Sequence, residues 1–136
     1  TWLVTMGGGY INYYYVNTAW TLFLHRPIPP GYAAHRIYRE FWEHTDYWLL
    51  APDNAPLVGQ PSDVYCRCDP GREYVVFDEA GGAFDMILAG DGAYTARWLN
   101  PVGGEYVEIG SVAPGQQRFS PPFGRGNWAV LHLQRT

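Results

Sequence analysis

Five aromatic residues, Tyr10, Tyr13, Tyr14, Tyr15 and Trp20, follow a run of three glycines and are interleaved with Asn12 and Asn17. Flat apolar rings beside amide groups suit sugars, because a sugar ring has one apolar face and many hydroxyls. Tyr10, Asn12, Tyr13, Tyr14, Asn17 and Trp20 are therefore the candidate substrate-binding residues. Packing between a strand, its helix and their neighbours is the competing use of these rings. Tyr10 and Asn12 directly follow Gly7-Gly8-Gly9 and are the two expected to be exposed.

Few other residues have spacing that could support chemistry. The two cysteines, Cys66 and Cys68, lie two apart in an alternating run, so on a strand both point to one face and would bond to each other only with strain. A pair of buried free thiols is expected. Two thiolates are too few for a structural zinc site, and His25, His35, His44 and His132 are not at ligand spacing from them, so no metal and no cofactor are indicated. Asp78-Glu79 and Asp91 lie beside glycine turns, but their spacing matches no calcium loop. Turn chemistry accounts for them.

Composition bounds the partners. The chain has 136 residues, 47% hydrophobic and 17% aromatic, with a formal net charge of −4. A chain of this size buries roughly 65 to 70% of its unfolded surface, which excludes disorder as a description of the whole. All nine basic residues are arginine, and they never form a run of three. The electrostatic footprint of a nucleic-acid binder is missing. No segment reaches the ~18 to 20 apolar residues of a membrane span, and no leader pattern precedes a cleavage site.

The elements that must position these residues divide near Asp53 to Asp63, where Pro52, Pro56, Gly59 and Pro61 punctuate a polar segment. Before it, the apolar run Thr1 to Met6 reads as a strand without a pairing partner. A helix from near Tyr13 to Leu24 is expected to stop at Pro27, Pro29 and Pro30. A second helix follows Gly31, with Ala34, Ile37, Tyr38, Phe41 and Trp42 on one face and Arg36, Arg39, Glu40 and Glu43 on the other. That apolar face needs cover. After the boundary the period becomes two, giving strands at Val64 to Cys68, Tyr74 to Asp78, Ala83 to Leu88, Tyr94 to Leu99, Tyr106 to Ile109, Gln117 to Phe119 and Trp128 to Leu133. Glycine-rich connections at Gly81-Gly82, Gly90-Asp91-Gly92 and Asn100 to Gly104 predict three hairpins in series, a meander with Phe84, Met86, Leu88, Ala96 and Trp98 facing one core. Trp98 and Trp128 are expected in the core and Phe123 in an exposed loop.

From Gly71-Arg72-Glu73-Tyr74-Val75-Val76-Phe77 through Ala96 to Pro101, Gly104-Glu105, Phe119 to Pro122 and Asn127 to Leu131, the chain resembles the family called collagen-binding domain of a collagenase. Thr1 to Val58 resembles the end of an apiosidase-like glycoside hydrolase barrel, with Gly7 to Trp20 similar to the segment after its last strand and Tyr47 to Asp53 to its closing motif. The resemblance implies a strand-helix-helix remnant of a (β/α)8 barrel at 1–60 and an antiparallel β-sandwich of about seven strands at 61–136, α+β as seen in this chain. It implies a secreted or cell-surface protein whose partners are the remainder of the barrel, or another chain, and a polysaccharide.

Glycosidases of this kind need two carboxyl groups on the ends of inner barrel strands. The acids before the boundary are Glu40, Glu43, Asp46 and Asp53, of which the first three fall in or just after the amphipathic helix, on a face expected to be solvated. No catalytic residue is assigned, so the parent would be the enzyme and this chain its tail. The alternative is a structural or adhesive module that assembles by adding its first strand to a neighbour.

Overall fold

The computed structural model describes residues 1–11 and 31–136. In chain order the elements are helices α1 (Trp2–Met6) and α2 (Tyr32–Glu43), then strands β1 (Ala51–Pro52), β2 (Val64–Asp69), β3 (Glu73–Asp78), β4 (Phe84–Leu88), β5 (Tyr94–Leu99), β6 (Tyr106–Val112), β7 (Gly115–Phe119) and β8 (Ala129–Arg135). Among the described residues, six strands form one antiparallel sheet in the order β1-β2-β3-β8-β5-β6, and β4 and β7 pair in a second. The β-rich reading holds, and all seven expected strands are present. The order is not a meander. β3 pairs with β8, and β4, reached through the turn at Gly81, pairs with β7 in the second sheet. Gly81 has φ +65°, and a side chain there would meet the Gly124 carbonyl oxygen at 2.4 Å.

Alternation along the central strands builds two cores. From β2, Cys66 and Cys68 point inward with Tyr74 and Val76 of β3, Leu131 and Leu133 of β8, and Ala96 and Trp98 of β5; Phe84, Met86, Leu88 and Phe119 close this inner core from the second sheet. Both cysteines are free and buried, as their spacing requires. The opposite, outer face carries Val75, Phe77, Val130 and Leu99, against which pack Trp2 and Met6 of α1, Phe41 and Trp42 of α2, and Leu50. All six residues of β3 are buried because both of its faces are covered. The apolar face of α2 thus finds its cover within this chain. Ile37 and Tyr38 pack at its margin, whereas Ala34 is exposed.

Residues 2–6 are helical, which corrects the expected first strand. Trp2, Thr5 and Met6 are buried at helical intervals while Leu3 and Val4 face outward, a period that so short an apolar run does not reveal. The turn that ends α1 uses Gly8 at φ +88°, and the Gly9 N–H donates to the Val4 carbonyl at 2.8 Å. Trp128 is also corrected: β8 begins one residue later and the indole is 46% exposed, its ring edge-on to Phe77 at 5.7 Å. Phe123, expected in an exposed loop, is half-buried against the inner core.

The segment joining the two halves is not loose. The Asp53 N–H donates to the Cys66 carbonyl at 3.0 Å, Asn54 Oδ1 accepts from the Cys66 N–H at 2.8 Å, and buried Leu57 bridges to Met86. Among the described residues no helix is long and apolar enough to cross a membrane.

Candidate functional site

Polar side chains are buried where α1, α2 and residues 44–50 meet the outer face of the sheet. Arg67 occupies an outward position of β2, between the inward-facing cysteines, yet it is only 5% exposed. Its Nε donates to the Leu50 carbonyl at 2.9 Å, Nη1 to the Thr5 carbonyl at 2.8 Å and Nη2 to the Tyr47 carbonyl at 3.3 Å. The guanidinium lies 5.9 Å from the centroid of the Trp42 ring. No carboxylate pairs with it among the described residues. Carbonyl dipoles balance the charge instead, one of them in the last turn of α1, where such dipoles carry net negative character. A planar fork with several fixed donors suits three converging carbonyls better than an ammonium would.

A second buried pair lies nearby. His132 Nε2 and Glu73 Oε1 are 2.6 Å apart, both residues almost fully buried, and Glu73 Oε2 accepts the Asp46 N–H at 3.0 Å. Phe41 packs edge-on against the His132 ring at 5.5 Å. The Thr5 and Tyr38 hydroxyls are hydrogen-bonded to each other. Burial raises the Tyr38 pKa, an effect partly offset by that bond and by Arg67. Arg67 and Glu73 tie α1 and residues 44–50 to the sheet, the Thr5–Tyr38 bond joins α1 to α2, and burial makes the Arg67 and Glu73 ties sensitive to loss of a partner.

In the inner core, the Cys66 thiol is pushed up by its hydrogen bond to Cys68 and by burial, so it keeps its proton at neutral pH. Tyr94 donates to the Ala89 carbonyl, and burial pushes its hydroxyl up to about 12. The Cys66–Cys68 hydrogen bond lowers the Cys68 thiol, and Cys66, Cys68 and Tyr94 are all buried away from the surface.

Of the residues singled out for sugar contact, Tyr10 is 79% exposed, as expected from the glycines before it. Asn12, Tyr13, Tyr14, Asn17 and Trp20 lie outside the described residues, as does the helix expected from Tyr13 to Leu24. Glu40 and Glu43 stand on the solvated face of α2, paired one turn apart with Arg36 at 3.8 Å and Arg39 at 3.0 Å. Asp53 Oδ1 accepts the Ala55 N–H. These acids are engaged in surface pairs and a turn. No group of three or more His, Cys, Asp or Glu side chains capable of holding a metal occurs among the described residues.

Sequence reasoning missed Arg67, Glu73 and His132. The available signal was a charged residue on a strand whose outer face also carries Val75, Phe77 and Val130, beside a helix with an apolar face to cover.

No family model matches the chain, and no curated protein matches it. Solved structures do. One named as a glycoside hydrolase aligns over 79% of this chain and 26% of its own length, with a TM-score of 0.70 at 18% identity. A family 5 glycoside hydrolase from Bacteroides vulgatus ATCC 8482 aligns over 79% of this chain and 24% of its own, with a TM-score of 0.69 at 17% identity. The fold is one that occurs within glycoside hydrolases, and this chain spans about a quarter of the length of those it matches.

Proposed function

We propose that this chain is the C-terminal part of a glycoside-hydrolase-like protein. In this reading residues 1–60 close a barrel domain of the apiosidase-like kind, and residues 61–136 form the all-β accessory domain that braces it. The observation that carries the reading is the seat of Arg67. A cation buried in the sandwich holds carbonyls of α1 and of residues 47 and 50, which is how a brace would be fixed to the end of another domain. Leu3, Val4, Tyr47, Leu49 and Trp48, the last 63% exposed, leave apolar side chains for the remainder of the barrel to cover. Two solved glycoside hydrolases contain the same fold within chains several times longer.

The catalytic carboxylates belong upstream, on the ends of inner barrel strands. Tyr10, with Asn12, Tyr13, Tyr14, Asn17 and Trp20, would line the sugar-binding face. The rival assembly by strand addition depended on an extended segment at Thr1 to Met6, and that segment is helical. The test is the intact mass and N-terminal sequence of the protein isolated from its source, combined with assays on polysaccharides. A longer chain with glycan-cleaving activity is expected. A natural 136-residue product that forms no complex with a barrel-bearing chain would overturn the reading.

A further inference from the structure

Beyond α2 the outer face of the large sheet continues into a depression of about 190 Å³, lined by Thr95 and Arg97 of β5, Glu108 of β6, and His132 and Gln134 of β8. Strand register sets its geometry. Arg97 lies opposite His132 on one side and Glu108 on the other, and Thr95 lies opposite Gln134. A β-bulge between the Ala96 and Arg97 pairings brings Glu108, rather than Ile109, beside Arg97. These side chains therefore rise from three paired strands and not from loops, which holds their spacing fixed.

Their hydrogen-bonding capacity is largely unused. The Arg97 guanidinium lies 4.7 Å from the centroid of the Tyr106 ring but forms no ion pair or hydrogen bond among the described residues. Glu108, opposite it in register, is exposed and likewise makes no ion pair there. Glu73 occupies His132 Nε2 and fixes the ring. The depression thus presents donors on Arg97, acceptors on Glu108, and both kinds on Thr95 and Gln134.

We propose that this depression is a saccharide subsite that takes one neutral sugar unit of a polysaccharide lying across the sheet. A sugar hydroxyl both donates and accepts, so neighbouring hydroxyls match a guanidinium set beside a carboxylate. The opposite charges of Arg97 and Glu108, in a chain of net charge −4, disfavour a phosphate or a polyanion. The volume is below the ~300 Å³ usual for drug-sized ligands and suits a single unit of a longer chain. The proposal rests on the reading of this protein as one that works on glycans.

The test is electrophoresis of the 136-residue chain in native gels containing xylan, mixed-linkage β-glucan, arabinogalactan or polygalacturonate. Retardation by at least one neutral polysaccharide is expected. Arg97→Ala should raise the apparent Kd about tenfold or more, and Glu108→Gln severalfold, with melting temperatures near that of the wild type. Should Arg97→Ala fail to fold, Glu108→Gln, on an exposed edge strand, carries the test. No retardation by any gel, retardation by polygalacturonate alone, or retardation unchanged in the folded variants would overturn the subsite. The outcome is separable from that of the hydrolase reading: a longer, active hydrolase whose tail is not retarded defeats only the subsite, and retardation of a natural 136-residue product defeats only the hydrolase reading.

Discussion

The two faces of the six-stranded sheet are built on different physics. The inner face is closed by β4 and β7 over aliphatic, aromatic and thiol groups. Burial there is non-directional and tolerates small shifts. The outer face buries Arg67, Glu73 and His132 among Trp2, Phe41 and Trp42, and each of these three side chains meets named partners, while Trp42 Nε1 is buried without one among the described residues. Buried charges seldom add net stability over a well-packed apolar replacement, but they penalise every arrangement that leaves them unpaired. The inner core thus holds the sandwich together, and the outer one specifies how α1, α2 and residues 44–50 sit on it.

Arg67→Ala should have the largest effect on that contrast. Removing the guanidinium leaves the Thr5, Tyr47 and Leu50 carbonyls short of donors, and a loss of about 4 kcal/mol is expected from urea unfolding. Arg67→Lys should recover only a minor part, because one ammonium cannot serve the three carbonyls in the same plane. Met86→Ala tests the other face. It empties a fully buried site between the sheets and should cost about 3 kcal/mol. A cost clearly above that of Arg67→Ala would reverse the order of the two faces.

A smaller effect comes from Asp78 at the rim of the inner face. Its Oδ1 accepts the Ala80 and Gly81 N–H groups at 2.8 and 3.0 Å, while buried Oδ2 has no partner among the described residues. Burial raises its pKa despite those bonds. The folded state therefore holds the proton more tightly than the unfolded chain. Its contribution is greatest below the ordinary value of 3.8 and falls as pH rises through the raised folded value. Asp78→Asn, which cannot ionise, should lose that fall. Thermal unfolding followed from pH 3 upward checks it, and parallel profiles for the two proteins would show that Asp78 does not titrate differently on folding.

Much of the sandwich was legible because its signals are local. Alternation placed Cys66 and Cys68 on one face, glycine clusters marked the connections, and three- and four-residue spacing gave the buried face of α2. Pairing was not legible. β3 joins β8 across fifty intervening residues, and nothing in Tyr74 to Asp78 names that partner over β4. Helix α1 was misread because five apolar-rich residues fit either period. Arg67 carries no local signal of burial, since its seat depends on Thr5, Tyr47 and Leu50, none adjacent to it in the chain. The pairing of Glu73 with His132 spans 59 residues and is set by the β3–β8 register. Of the aromatic candidates, Tyr10 proved exposed, and the others fall outside the described residues.

Amide hydrogen exchange, compared between the wild type and Arg67→Ala, tests most directly whether the outer face is a seat distinct from the sandwich. Protection should be lost in α1, α2 and residues 44–50 while β3, β5 and β8 keep theirs. Uniform loss across both regions, or unchanged protection in the two helices, would contradict the assignment of Arg67 as the pin between them.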